Sequence, residues 1–80
     1  MFKNKSDGKN NLCGENIKNF RLNSPEKMSQ RALADKMQLI GIDVDKNAIQ
    51  RIECGKRFVT DIELKGFAEI FGVGVDSLLL

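Results

Sequence analysis

The sequence predicts an all-α domain of five short helices, on three observations. Apolar residues recur at helical spacing, β-alternation is not sustained anywhere, and helix starts and stops punctuate the chain at short intervals. Eighty residues allow one small domain. At that length folding buries only about 60% of the extended chain's surface, so the core must be assembled from local elements. With 41% hydrophobic and 30% charged residues the balance is that of a globular chain and not of a disordered one.

The first dozen residues, MFKNKSDGKNNL, are polar and aperiodic and read as a flexible N-terminal arm, residues 1–12, ahead of a folded domain at 13–80. Helix one is expected from about Glu15 to Leu22, with Ile17 and Phe20 inward and Arg21 on a neighbouring face. Pro25, the sole proline, sits in the turn-type stretch Asn23–Lys27 and separates the first helix from the second. Ser29 is the expected N-cap of helix two, whose Leu33, Met37 and Ile40 recur at i, i+4 and i+7, with Gly41 at or just past its end. Asp45 caps helix three, Lys46 to about Cys54, and Gly55 closes it. Thr60-Asp61-Ile62-Glu63 matches a capping box, opening helix four with Leu64, Phe67, Ala68 and Phe71 on one face. Gly72-Val73-Gly74 stops it, and Val75, Leu78 and Leu79 form a short fifth helix.

Composition excludes several functions. Histidine is absent, which removes the commonest general base and the commonest metal ligand, so the chain is not expected to be an enzyme. Asp43-Val44-Asp45-Lys46-Asn47 starts like a calcium loop, but Ala48 and Cys54 stand where that loop needs glycine and glutamate. Cys13 and Cys54 would leave a tetrahedral zinc site half empty and read as free thiols. No apolar run approaches the roughly 20 residues that span a bilayer. Met1–Lys5 has no apolar signal core, which predicts a cytoplasmic location with no membrane association. The Asn4-Lys5-Ser6 triplet fits a glycosylation acceptor but is idle in that compartment.

The formal net charge of +2 is unevenly spread. Residues 46–57 carry +3 and residues 58–80 carry −3, while 13–45 cancel. A local basic segment suits a phosphate-bearing partner; a solvated helix face would carry the same charge. The wheel of helix three is more informative. With Lys46 at zero, Gln50, Asn47 and Arg51 fall at about 40°, 100° and 140°, whereas Ala48, Ile52 and Ile49 fall at about 200°, 240° and 300°. One face is apolar; the other presents long or amide-bearing donors. Asn and Gln can pair with adenine edges, and Arg and Lys with guanine edges, in a major groove wide enough to admit a helix.

Ser29-Gln30-x-x-Leu33-Ala34-x-x-Met37, followed by Val44-Asp45-x-x-Ala48-Ile49-x-Arg51-Ile52-Glu53-x-Gly55-Lys56-Arg57, resembles the Cro and phage-repressor type of helix-turn-helix, the XRE family. Phe67–Val73 and the residues through Leu79 resemble that family's closing helices. The resemblance covers roughly residues 14–80 and implies a compact lambda-repressor-like domain. It implies a sequence-specific transcriptional regulator, a repressor by preference, bound as a homodimer to a palindromic operator in double-stranded DNA, with no cofactor. By the same resemblance Lys46, Asn47, Gln50 and Arg51 read base edges, and Gln30 and Lys56 contact phosphate. Arg57, directly after Lys56, is placed by its position in the same loop as a further phosphate contact. Arg21 and Glu53 correspond to a structural ion pair between helices one and three. Against the family's turn of about three residues, the eight residues from Gln38 to Asp45 require a longer second helix or an extended loop. A protein-interaction module of the same fold, an antitoxin or adaptor, is the alternative; Asp43 and Asp45 alone suggest a nuclease only weakly.

Overall fold

The computed structural model describes residues 8–80; residues 1–7, including Lys3, Lys5 and the Asn4-Lys5-Ser6 triplet, lie outside them. Five helices follow in order: α1 Gly14–Leu22, α2 Gln30–Leu39, α3 Lys46–Glu53, α4 Asp61–Phe71 and α5 Val75–Leu79. Among the described residues there is no β-strand. The class is all-α.

The starts of α2, α3 and α4 each have a side-chain acceptor where the sequence put one. Ser29 Oγ accepts from the Ala32 N–H at 3.0 Å and Asp45 Oδ1 from the Ala48 N–H at 2.7 Å. Thr60 and Glu63 close a reciprocal box, each accepting the other's backbone N–H. The ends of α2, α3 and α4 share a second device. In each, a glycine with positive φ lets the chain turn back, and the residue after it donates to a carbonyl five residues earlier: Ile42 to Met37, Lys56 to Arg51 and Val73 to Ala68. This is the Schellman arrangement, which satisfies carbonyls that the helix itself leaves free.

α3 packs against α1 and α2, while α4 packs against α1, α2 and α5. Ile17, Leu33, Met37, Ile49, Ile52, Phe67 and Leu78 are fully buried between them, and Phe20 stacks on Phe71 with centroids 5.5 Å apart. The long α2–α3 connection is resolved in a specific way. α2 extends to Leu39, and Ile40–Asp45 form a loop that contributes to the core. Val44 is buried, Ile42 packs where Gly66 of α4 has no side chain, and the Gln38 amide donates to the Val44 carbonyl at 3.1 Å.

The polar centre of the fold joins three elements. Arg21 of α1 donates from Nε to Glu53 Oε2 at 2.7 Å and from Nη2 to Glu53 Oε1 at 2.9 Å. Its Nη1 also donates to the Met28 carbonyl at 2.9 Å, just before α2. Gln30 of α2 adds a bond from Nε2 to Glu53 Oε1 at 3.0 Å. The two charged side chains are only 9% and 3% exposed.

The described end of the expected arm is tied to the domain. Of the expected 1–12 segment, Asn10 and Asn11 are fastened to the far end of α3. The Asn10 N–H donates to the Gly55 carbonyl and its side-chain amide to the Lys56 carbonyl, while the Asn11 amide donates to the carbonyls of Ile52 and Arg57.

Removing one half of the buried pair exposes its cost. Glu53→Ala should lower the unfolding free energy in urea by roughly 3–5 kcal/mol, because Arg21 is left charged and unpaired. Replacing Arg21 with Met and Glu53 with Leu together should recover most of that loss.

Candidate functional site

α3 is held by its inner face and free on its outer one. Ile49 and Ile52 are fully buried and Ala48 is half-buried, so the helix cannot roll without exposing them. Glu53, one turn beyond Ile49, is anchored by Arg21 and Gln30. Lys46, Asn47, Gln50 and Arg51 are all exposed, and among the described residues none of these side chains makes a hydrogen bond. The four donors expected on one face therefore share it, with their polar ends in solvent.

Around this face the structure brings groups from other elements. Lys56 is exposed in the loop that leaves α3. Arg31, in the first turn of α2, lines a shallow groove together with Gln38, Asp45 and Lys46. Sequence reasoning passed over Arg31; the available signal was its place on the outer stripe of α2, where Arg31, Asp35 and Gln38 recur at i, i+4 and i+7 and are all exposed. A second groove is lined by Asp43, Asp45, Asn47 and Arg51, so carboxylates flank the N-terminal end of the face. Lys46 and Arg31 stand beside the carboxylates at that end, and Arg51 and Lys56 lie toward the C-terminal end.

Two residues expected on phosphate have other uses. The Gln30 amide is half-buried and turned onto Glu53, where it holds α2 to α3. Arg57 is engaged more fully. Its Nη1 and Nη2 donate to Glu63 Oε1 and Oε2, each at 2.9 Å, and Nη1 also reaches the Phe58 carbonyl. The capping box explains this, because Glu63 must sit at the start of α4, and a planar guanidinium is the best-matched partner for a carboxylate placed there. Arg57 is thus an anchor for the α3–α4 loop.

The charges bear this out. The Arg57 fork holds the Glu63 carboxyl below its ordinary range, assisted by the Thr60 amide and against the effect of burial. The same bond raises Arg57. Cys54, next to the exposed face, is an exposed free thiol; Cys13 is buried, and burial pushes its thiol up.

Chemically, the face offers two amides and two cations aimed outward from a fixed helix. That suits edges carrying paired donors and acceptors, with cations beside them for an anionic backbone. Among the described residues no helix is long and apolar enough to cross a membrane. Comparison of the chain with protein-family models, with curated proteins and with solved structures returns no match.

Glu63 gives a pH signature. A carboxyl lowered on folding contributes stability that is complete above the ordinary value of 4.5 and is lost as pH falls through its folded value. Stability measured by urea titration should therefore decline below about pH 4.5. Glu63→Gln should be less stable at neutral pH and show a flatter acid limb.

Proposed function

We propose that the protein is a sequence-specific DNA-binding transcriptional regulator, acting in the cytoplasm as a homodimer on a palindromic operator and folded as a lambda-repressor-like helix-turn-helix domain. One observation carries the reading: Lys46, Asn47, Gln50 and Arg51 stand exposed on a single face of α3 while the opposite face is locked by Ile49, Ile52 and the Glu53 carboxylate. In this reading α3 enters the major groove, Asn47 and Gln50 pair with base edges, and Arg51 and Lys46 reach guanine edges. Lys56 and Arg31 contact phosphates on either side and set the register. Two subunits would place their half-sites about 34 Å apart, one turn of B-DNA. The catalytic readings have no support beyond two exposed aspartates, of which Asp45 serves as a helix cap.

A second reading, an antitoxin or adaptor of the same fold, is favoured by one feature. Leu39 is 85% exposed at the end of α2, next to Ile40 at 41%, which together leave an apolar step on the surface.

Selection of bound duplexes from a random pool, followed by titration at two salt concentrations, separates the two. Four phosphate contacts, Lys56 and Arg31 of each subunit, should give a log–log salt slope near roughly −4. Asn47→Ala and Arg51→Ala should each cost about 1–3 kcal/mol of discrimination at one base position, and Leu39→Ser should leave DNA affinity unchanged. Binding that never rises above the non-specific level sinks the regulator reading. Loss of partner-protein binding in Leu39→Ser with no selected duplex supports the adaptor.

A further inference from the structure

The segment Lys9–Leu12 crosses the C-terminal end of α3, and its bonds are unusually concentrated. Asn11 serves two helix ends with one side chain. Its Oδ1 accepts the Gly14 N–H at 2.8 Å, at the start of α1, where Cys13 supplies no side-chain cap. Its Nδ2 donates to the Ile52 carbonyl at 3.0 Å and the Arg57 carbonyl at 2.8 Å. The acceptor thus meets a helix N-terminus and the donors meet a C-terminal end, each matching the partial charge it faces.

Contact at this crossing is close. A side chain on Gly14 would fall on the carbonyl of Ile52, so α1 and α3 approach backbone to backbone. Gly55 is in the left-handed region at φ 77°, and the space beside its Cα is filled by the Lys9 stem, so a Cβ there would meet Lys9 Cγ at 2.8 Å. Lys56 follows, with both of its backbone polar groups tied: the N–H donates to the Arg51 carbonyl at 2.8 Å, and the C=O accepts from Asn10 Nδ2 at 3.0 Å. Among the described residues its side chain makes no hydrogen bond, while its Cα–Cβ direction is set by α3 on one side and Asn10 on the other.

We infer that Asn11, with Asn10, is a positioning residue: the strap fixes the Gly55–Arg57 turn so that the exposed Lys56 ammonium is held toward the phosphate backbone flanking the groove that α3 enters. This rests on the DNA-binding reading above. Neither asparagine touches DNA in this arrangement; both act through Lys56.

A double-mutant cycle tests it with the full chain, titrating a duplex selected by the wild type at several salt concentrations. Lys56→Ala should weaken binding and bring the salt slope about two units closer to zero, one for each subunit of the dimer. Asn11→Ala should reproduce both effects, and should change affinity by less than about twofold when Lys56 is already alanine. A general loss of folded protein would not move the slope. An equal affinity loss in both backgrounds with an unchanged slope overturns the inference and leaves the DNA reading intact. Wild type that selects no duplex overturns the DNA reading first, and the inference with it. Where a thermal melt shows that Asn11→Ala is not folded, Asn10→Ala is read by the same cycle, since it removes only the exposed bond to the Lys56 carbonyl.

Discussion

A single carboxylate, that of Glu53, determines how α3 sits in the molecule. It takes two bonds from Arg21 and one from Gln30, and so ties α3 to α1 and α2 at one point. Desolvating a carboxylate and a guanidinium is expensive, and their attraction does no more than offset it when the geometry is good. The gain is orientation. Residues along a helix are about 100° apart, so rolling α3 by one position would break the pair and replace Ile49 or Ile52 with a polar side chain in the core. The outward direction of Asn47 and Arg51 is a consequence of what Glu53 and the isoleucines do inside.

None of the helices could carry that arrangement alone. They run from five to eleven residues, shorter than the roughly 12–15 at which isolated helices become marginal in water. Their persistence depends on their ends and on packing. Side-chain acceptors at Ser29, Asp45 and Thr60 satisfy the first amides, and the glycine turns satisfy the last carbonyls of α2, α3 and α4. α1 and α5 lack a side-chain acceptor on the residue before them, and asparagines elsewhere assist both. Asn11 reaches the start of α1, and Asn16 donates to the carbonyls of Leu78 and Leu80 at the end of α5. The helix ends are thus cross-linked to one another, which makes the small domain cooperative where its core is thin.

The same distinction explains what the sequence made legible. Cap and stop signals act within three to five residues, so the starts at Gln30, Lys46 and Asp61 and the stops at Gly41, Gly55 and Gly72 were readable directly. The wheel of α3 was readable because burial follows a 3.6-residue period. What failed was long-range. Asn10 and Asn11 look like loop residues because their acceptors lie more than forty positions away. The Arg57–Glu63 pair was not legible because Glu63 already had a use in its capping box, and nothing local indicates that one carboxylate can serve both. Counted as an insertion, Ile40–Asp45 gave no sign that Ile42 would fill the space left by Gly66, since that complementarity exists only once α4 is in place. The candidate site is the intermediate case: which α3 residues face outward could be read, but not the contribution of Arg31 or the inward turn of Gln30.

Charge along the exposed face has its own consequence for the proposed function. Asp43 and Asp45 flank its N-terminal end, whereas Arg51 and Lys56 occupy its C-terminal end. An evenly basic helix would attract any duplex through its phosphates alone and gain little discrimination, because that attraction is independent of sequence. In the proposed function the two carboxylates would weaken non-specific attraction and oppose any placement that brought a phosphate to them, while a cytosine amino group could approach an aspartate. A domain whose total charge is nearly neutral would depend on base contacts for a larger share of its affinity than a strongly basic domain does. Its preference among duplexes would then come as much from the placements those two carboxylates disfavour as from the edges that the amides and cations favour.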